Sequence, residues 1–291
     1  MKEVLQLMRC WQWVKNVFVF FPLFFGHQLL NGQLLVRCIE TAALFCLLSS
    51  AVYCFNDICD CKTDRQHPVK RLRPLASGRM TVQQAIVVMS LCLLAAIGGC
   101  WLIGLHQLLW VFALYVTMNV AYSVWLKHVP IVDVVVLASF YVVRLAAGAV
   151  ATDIENSRWI VLMTFLLALL LGLGKRRDDV VKSEETGVSM RTSASGYSLP
   201  FIHTTMGVVG AVTVVCYIMY TLSDDVIERV GNHYLYATSV FVLVAVMRYL
   251  QLAIGNGKGG SPTRLMLRDH FLQACVAGWF LCYVILLYLT P

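Results

Sequence analysis

Charged side chains are scarce in this sequence. Asp, Glu, Lys and Arg make up only 13% of its 291 residues, whereas hydrophobic residues make up 59% and the mean hydropathy is +0.73. A soluble globular domain carries about 25% charged residues, so this composition excludes an ordinary water-soluble fold. The apolar residues instead fall in blocks of about 17 to 22, each long enough for a helix to cross a hydrocarbon core about 30 Å thick. The sequence predicts an all-α polytopic membrane protein.

Two further features are missing from the sequence. No small-residue cleavage site follows the first apolar block, residues 13–30, so we expect this block to stay in the protein as its first span. The eleven cysteines are scattered, and no second Cys or His cluster accompanies the pair Cys59 and Cys61. A lone Cys-x-Cys is a poor zinc pattern, which argues against a structural metal at this pair.

Interruptions of the apolar runs by charged, Pro or Gly residues predict nine transmembrane helices. Long polar loops, 56–81 and 174–198, and a Gly-rich loop, 253–270, separate some of them. We expect a single integral-membrane domain over residues 1–291. The predicted spans are residues 13–30, 34–55, 82–103, 108–126, 131–151, 159–173, 199–222, 234–252 and 271–289.

The distribution of Lys and Arg predicts the orientation, because cytoplasmic loops of membrane proteins are enriched in both residues. With nine spans and the N-terminus inside, 18 of the 23 Lys and Arg residues lie on the inner side. Only Arg37, Arg158 and Arg229 lie on the outer side. We therefore expect a cytoplasmic N-terminus and insertion in the inner cell membrane. The same bias accounts for the net charge of +7, so no nucleic-acid partner is expected.

An acidic stretch, NDICDCKTDR at residues 56–65, follows the second predicted span. If the helix continues, Asn56, Asp60 and Asp64 recur every four residues on one face, with Asp57 one position round. Three such oxygen ligands would repel one another unless a divalent cation lay among them. Mg²⁺ accepts a few carboxylates and completes its shell with water and phosphate oxygens. The spacing is typical of a site for Mg²⁺ and a diphosphate, and an exposed helix end with solvated acids is the alternative that the acids alone leave open.

Basic residues come directly after these acids, at Lys70, Arg71 and Arg73. Acids for a metal beside bases for phosphate are a more specific combination than either alone. The pattern NDxxDxxxD at residues 56–64 resembles the first aspartate-rich motif of the UbiA superfamily of intramembrane prenyltransferases. The resemblance covers nearly the whole chain and implies a UbiA-like bundle of nine helices. It also implies Mg²⁺ as the cofactor, with Asn56, Asp60 and Asp64 as the ligands that hold it against a diphosphate.

The sequence departs from most of that superfamily in the sixth loop, where a second Asp-x-x-x-Asp motif is expected. Lys182 stands four residues after Asp178, and Ser183 stands four residues after Asp179. A basic triplet, residues 175–177, occupies the same region. Joining a phosphorylated sugar diphosphate to a lipid phosphate would bring a charge of roughly −6 into one cavity, which is prohibitive without several fixed cations. The exchange of acids for bases favours substrates of that kind.

Five further segments are similar to the decaprenyl-phosphate phosphoribosyltransferase branch of the superfamily. The resemblance implies a membrane-embedded glycosyltransferase whose partners are phosphoribosyl pyrophosphate and a polyprenyl phosphate in the surrounding lipid. It would move 5-phosphoribose onto the lipid at a cytoplasm-facing site, for the synthesis of cell-envelope glycans. The segments are WVKN at 13–16, HPxKxxRP at 67–74, Tyr122-Ser123 with Lys127, Asp133 with Arg144, and LGKRR at 173–177.

The resemblance implies catalytic roles for Asp57, Asp60, Asp64 and Arg65. Lys15 and Arg144 also stand out, because a charge within or at the edge of an apolar block is costly and usually has a task. Snorkelling to the interface is the alternative for Lys15, and a structural pair with Asp133 or another acid is the alternative for Arg144. Which cation binds which phosphate stays open. The predicted substrate-binding residues are Lys15, Lys70, Arg73, Tyr122, Lys127, Arg144, Lys175, Arg176 and Arg177.

Two other functions stay open at this point. One is a UbiA-type prenyltransferase that moves a prenyl group from a prenyl diphosphate to an aromatic or other acceptor; the missing second aspartate pair argues against it. The other is a transporter of an anionic lipid. Transporters often contain inverted repeats, and the 56–64 pattern has no second copy in this sequence, which argues against it. The prenyl chain length and a homo-oligomeric state are also left open.

Overall fold

The computed structural model describes residues 1–66, 69–186, 196–255 and 268–288. These residues form helices joined by turns, which agrees with the predicted fold class. His67, Pro68, Arg191, Lys258 and Arg264, all used in the sequence argument, lie outside the described residues. The α-helices are α1 (Lys2–Met8), α2 (Phe21–Phe25), α3 (Gly32–Gln66), α4 (Val82–Leu102), α5 (Leu108–Val124), α6 (Val132–Thr152), α7 (Arg158–Thr186), α8 (Leu199–Thr221), α9 (Asp224–Val230), α10 (Ser239–Leu250) and α11 (His270–Tyr288).

Several shorter helices of other types connect these elements. Within the described ranges, seven helices are long and apolar enough to cross a membrane, and α5 is a further apolar helix of 17 residues. The count of nine spans and the orientation of the N-terminus therefore stay predictions. The 3₁₀ helices are Cys10–Phe20, Lys70–Leu72, Leu126–His128 and His233–Thr238, and a π-helical turn covers Gln251–Gly255.

The first predicted span, residues 13–30, is not one continuous α-helix. A 3₁₀ helix covers Cys10–Phe20, and α2 then begins with Pro22 in its first turn. Proline has no N–H to donate to a preceding turn, and its fixed φ suits the start of a helix rather than its middle. Hydropathy did not indicate this division, because it reports burial and not the winding of the backbone, whereas Pro22 was a local signal for it.

Two helices are longer than their predicted spans. The second predicted span ends at Phe55, but α3 continues to Gln66 and carries all the acidic residues of the 56–64 pattern. The sixth ends at Leu173, whereas α7 continues to Thr186. The stretches expected as polar loops therefore begin as helix. Repeats of acids and bases every three or four residues allow a helix to continue beyond its apolar part.

The chain divides into two compact units. The first consists of residues 1–127 and 140–156, and it contains α1 to α5 and the last part of α6. In this unit α3 packs along α4, and Gly99 approaches so closely that an added Cβ would overlap the Leu44 side chain. Side chains from α1, α3, α4 and the loop between α3 and α4 share one buried cluster, which fixes that loop beside the acidic end of α3. Its members are Leu7, Cys54, Leu75, Met80 and Ala85.

The second unit consists of residues 128–139 and 157–291. Here α7 packs along α8, and α10 contacts both α8 and α11. Trp279 donates a hydrogen bond of 2.6 Å to the Tyr217 hydroxyl, which lies 2.7 Å from the hydroxyl of Thr238. A buried polar group in a membrane protein must find its partner inside the protein, so these bonds hold α8 to the helices around it.

Candidate active site

The acidic end of α3 presents its polar side chains in two directions. Asn56 and Asp60, one helical turn apart, contact residues of α5 and of the short 3₁₀ helix that follows it. Asp57 and Asp64, two turns apart, contact the loop that joins α3 to α4. The helix thus continues through the acidic pattern, which is the condition under which the four-residue spacing places these residues on one side of it. Its polar side chains are divided between two neighbouring stripes rather than gathered on one.

Arg73 bridges the two buried carboxylates of this cluster. Its Nη1 donates to Asp57 at 3.1 Å and to Asp64 at 2.6 Å, although these acids are only 2% and 3% exposed. Arg9 donates to the same oxygen of Asp57 and lies over the Tyr53 ring, 4.9 Å from its centroid. Lys70 adds a longer ion pair of 3.9 Å with Asp64. Buried carboxylates require such compensation, because an unpaired charge is expensive in a low-dielectric interior.

The other stripe combines a neutral contact with a charged one. Ser123 of α5 donates a hydrogen bond to the side-chain oxygen of Asn56. Lys127, in the 3₁₀ helix Leu126–His128, forms an ion pair with Asp60, whose side chain is 30% exposed. Asp60 is therefore the most accessible of the three carboxylates. The predicted role of Lys127 in phosphate binding stays a prediction.

The chemistry of this donor set fits Mg²⁺, which prefers carboxylate and amide oxygens. The Arg73 guanidinium lies between the Asp57 and Asp64 carboxylates and bridges them with its positive charge. In the part of the chain that the structure describes, no three His, Cys, Asp or Glu side chains converge as a ready metal cluster. Arg and Lys side chains hold the carboxylates instead. Binding of a divalent cation here would require some of these ion pairs to open.

A second group of charged residues in the first unit surrounds Arg144, in the middle of α6. Its side chain is only 3% exposed and donates to the Asn16 side chain at 2.9 Å and to the Tyr115 hydroxyl at 2.9 Å. A third bond of 2.8 Å reaches the Phe140 carbonyl. Half-buried Lys15 directly precedes Asn16, the residue that accepts this bond from Arg144. Both cations that the sequence singled out within apolar blocks thus lie together.

The three residues of the basic triplet, in the second unit, differ in exposure. Lys175 is exposed, whereas Arg176 is fully buried and donates to Asp133 at 2.6 Å and to Asp179 at 3.1 Å. Arg177 is 5% exposed and lies 3.7 Å from Asp178 in an ion pair. These contacts account for the burial of two cations in an apolar helix. The predicted phosphate-binding roles of the triplet stay predictions.

Tyr197 completes the network around the buried Asp133 carboxylate. Its hydroxyl donates to Asp133 at 2.6 Å and accepts from the backbone N–H of Ile131 at 2.7 Å. Burial and the bond to Asp133 raise the pKa of Tyr197 above its ordinary value, so the phenol stays protonated. Ile131 has a positive φ of 69°, a strained conformation for a β-branched residue, and this hydrogen bond holds it in place.

Arg65 and Tyr122 are the two remaining predicted residues. Arg65 is exposed in the last turn of α3, and Tyr122 is buried with its ring 6.1 Å from that of Phe140. Their predicted roles, in catalysis and in substrate binding, stay predictions. Sequence reasoning gave no role to Arg9 or Ser123. A signal for Arg9 was present, because its position before an apolar block is as unusual as that of Lys15.

Comparison with known proteins adds an independent line of evidence. The family model described as the UbiA prenyltransferase family matches residues 19–272. The chain belongs to the UbiA prenyltransferase family. A solved structure of a UbiA homolog from Archaeoglobus fulgidus, bound to GPP and Mg²⁺, has the same fold with a TM-score of 0.68 and 17% identity. The similarity covers 97% of this chain and 99% of that one.

Two curated relatives of this UbiA family chain are similar over nearly its full length. The decaprenyl-phosphate phosphoribosyltransferase of Corynebacterium glutamicum is 29% identical, over 99% of this chain and 87% of the relative. The enzyme of the same name from Mycobacterium tuberculosis is 31% identical, over 95% and 91% respectively. The predicted family is confirmed, and the protein is a membrane transferase.

Proposed function

We propose that this UbiA family protein transfers 5-phosphoribose from phosphoribosyl pyrophosphate to a polyprenyl phosphate. The reaction would take place at the acidic end of α3, facing the cytoplasm from the inner membrane, with the product used for cell-envelope glycans. The names of the two relatives support this choice of substrates. The absence of a second Asp-x-x-x-Asp pair from the sequence supports it against prenyl transfer to an aromatic acceptor.

The observation that carries the proposal is the excess of cations around the acids. Four basic side chains contact the three carboxylates at the acidic end of α3, so positive charge exceeds negative charge there even before a metal ion is considered. A site for one diphosphate alone would not need so many, whereas a donor with a pyrophosphate and a separate 5-phosphate would use them. The basic residues are Arg9, Lys70, Arg73 and Lys127.

Asn56, Asp60 and Asp64 would hold the metal ion. Mg²⁺ bound there supplies neutralisation of the negative charge that develops on the departing pyrophosphate. Arg73 and Lys127, released from the carboxylates, would then donate to phosphate oxygens of the donor. Asp57 is held by Arg9 and would keep that guanidinium oriented towards the site.

The proposed step is a displacement at C1 of the ribose. The bond from C1 to the pyrophosphate oxygen breaks, and a bond from C1 to an oxygen of the lipid phosphate forms on the opposite face, with inversion. The bonding electrons leave with the pyrophosphate, and the transition state has oxocarbenium character, as in other glycosyl transfers. The acceptor phosphate is already anionic at neutral pH, so no side chain has to remove a proton. The protein's contribution is to position the reactants and to balance charge.

A transfer assay tests the proposal directly. Purified protein in detergent is supplied with Mg²⁺, phosphoribosyl pyrophosphate labelled in the ribose, and a polyprenyl phosphate, and label in the organic phase is measured. We expect transfer that EDTA abolishes. Asp60→Ala should reduce it on the order of 100-fold, the scale of loss when electrostatic support at reacting oxygens is removed. The exposed Asp225 of α9 offers a matched control, and Asp225→Ala should retain full activity.

Two results would contradict the proposal. Turnover of a prenyl diphosphate with an aromatic acceptor, in the absence of label transfer from phosphoribosyl pyrophosphate, would establish the prenyltransferase alternative. Movement of a polyprenyl phosphate from one leaflet of a vesicle membrane to the other, without Mg²⁺-dependent release of pyrophosphate, would establish the transporter alternative.

A further inference from the structure

Arg144 is a buried cation with neutral partners. Its hydrogen bonds go to an amide oxygen, a phenol and a backbone carbonyl, and aromatic rings surround it. The guanidinium carbon lies 5.2 Å from the centroid of Tyr115, and 5.5 Å from those of Phe45 and Tyr141. Such faces stabilise a cation partly but do not neutralise it. An arginine cannot lose its proton in a protein, so a full positive charge stays in this apolar surrounding.

The other buried or half-buried arginines with described side-chain contacts follow a different pattern. Arg9 and Arg73 contact Asp57, Arg176 contacts Asp133, and Arg248 contacts Asp269. Among the described residues, neither Arg144 nor Lys15 forms an ion pair with a carboxylate. Lys15 directly precedes Asn16, whose side-chain oxygen accepts from Arg144 at 2.9 Å, so the two cations lie near each other. Two positive charges without a carboxylate partner are not neutralised by the described residues, and a bound anion can neutralise them.

We propose that Lys15 and Arg144 bind the phosphate group of the polyprenyl phosphate acceptor. This inference rests on the proposed function, because it assigns one of its two substrates to a particular pair of side chains. The phosphate would accept from the Lys15 ammonium and from N–H groups of the Arg144 guanidinium that the neutral partners leave available. It would supply the negative charge that the described residues do not.

The surroundings favour a phosphate with a hydrocarbon tail. The rings of Phe18 and Tyr141 lie 5.0 Å apart, and Phe45 and Tyr115 lie 4.8 Å apart, so the walls around the cations are largely apolar. The hydroxyls of a ribose would lose hydrogen bonds to water in such a place, at a considerable cost. The 3₁₀ helix that carries Lys15 also has Val14 exposed to the surroundings. A prenyl chain could lie along such a surface without leaving polar groups unpaired.

The position along α3 agrees with this assignment. Arg144 reaches the level of Phe45, and Asn16, which accepts from Arg144, contacts Cys46. The acids begin at Asn56, about 15 Å further along the helix at a rise of about 1.5 Å per residue. Arg9, which contacts Asp57 and lies near Lys15, stands between the two groups. The acceptor phosphate would thus approach the acids from the side that Arg9 occupies.

Steady-state kinetics of variants test the assignment. We expect Lys15→Gln to raise the KM for a polyprenyl phosphate about 10-fold or more, the scale for losing a hydrogen bond to a charged group. The KM for phosphoribosyl pyrophosphate should stay within about 2-fold, since its cations are elsewhere. Lys15→Arg should restore most of the lipid affinity. Arg144→Lys should lose affinity, because the guanidinium fork and its bonds cannot be replaced by an ammonium. Arg37→Gln, at an exposed position of α3, is the control.

Direct binding separates this inference from the proposed function. Farnesyl phosphate, farnesol, inorganic phosphate and phosphoribosyl pyrophosphate are each titrated into the detergent-solubilised protein without the second substrate. We expect Lys15→Gln to weaken farnesyl phosphate binding alone. Weakened binding of phosphoribosyl pyrophosphate or inorganic phosphate, with farnesyl phosphate unaffected, would overturn the assignment even if transfer occurs. Binding of farnesyl phosphate that depends on Lys15 would support it even if the transfer assay showed no activity.

Discussion

Removal of the Asp133 carboxylate is the sharpest test of how the second unit is held together. Both Asp133 and Arg176 are fully buried, and their charged atoms are 2.6 Å apart. At that separation the attraction is about 6 kcal/mol for an effective dielectric constant of about 20. Part of it offsets the cost of removing both charges from water. Breaking such a pair by removing one partner typically costs about 3–5 kcal/mol, because the other charge is left buried.

We therefore expect Asp133→Leu to destabilise the protein by about 3–5 kcal/mol. Arg176→Met should cost less, because Asp133 would keep the hydrogen bond from Tyr197. The double variant should be more stable than Asp133→Leu alone, since in the single variant the fully buried Arg176 keeps only its ion pair with Asp179. Unfolding in mixed micelles of increasing SDS content, followed by tryptophan fluorescence, measures all three differences. Activity is not needed for this readout.

Additive losses in the double variant would refute this reasoning. They would mean that each residue stabilises the protein through separate contacts and that the ion pair itself contributes nothing. A loss below about 1 kcal/mol for Asp133→Leu would refute it equally, because that is the range of solvent-exposed pairs. Tyr197→Phe serves as a milder companion, with an expected cost of about 1–2 kcal/mol for one hydrogen bond to a charged group.

Two further predictions concern other contacts of the second unit. Gly174→Ala should cost about 1–3 kcal/mol because the new methyl group would overlap the Tyr249 hydroxyl, and Tyr249→Phe should recover part of that loss in the same unfolding assay. Hydrogen bonds from Arg248 and from the Leu272 N–H lower the pKa of Asp269. The resulting stabilisation is present above the unfolded carboxyl pKa of about 3.9 and is lost as pH falls through the lowered folded pKa. Asp269→Asn should abolish this part of the acid dependence of thermal unfolding, and an unchanged pH profile would contradict the assignment.

Composition and spacing predicted the class of the fold and the identity of the acidic helix. Low charge and long apolar blocks indicated membrane helices, and the four-residue recurrence of Asn56, Asp60 and Asp64 indicated that these residues would share a helix face if α3 continued past its apolar part. Both signals are local, because they depend on residues within a few turns of one another. The same kind of signal identified Lys15 and Arg144, whose charge is conspicuous in apolar sequence.

The partners of these residues could not be read in the same way. Arg9 contacts Asp57 across 48 positions, and Arg176 contacts Asp133 across 43. Such contacts depend on which helices pack together, and no spacing in the sequence reports it. The burial of Arg176 is an instructive case. A run of three bases indicates phosphate binding, but a buried acid elsewhere in the chain gives the middle base a structural contact.

The 3₁₀ helix Cys10–Phe20 has a consequence for the direction of its side chains. A 3₁₀ helix turns about 120° per residue, so residues three apart stand in a straight row. Trp13, Asn16 and Val19 form such a row; the first two donate side-chain hydrogen bonds to α3, and the Val19 carbonyl accepts one from Cys38 of α3. An α-helix turns about 100° per residue, and the same row would rotate by about 120° over six residues. The direction of the Lys15 side chain relative to this row therefore depends on the 3₁₀ winding of the backbone more than on the identity of the neighbouring residues.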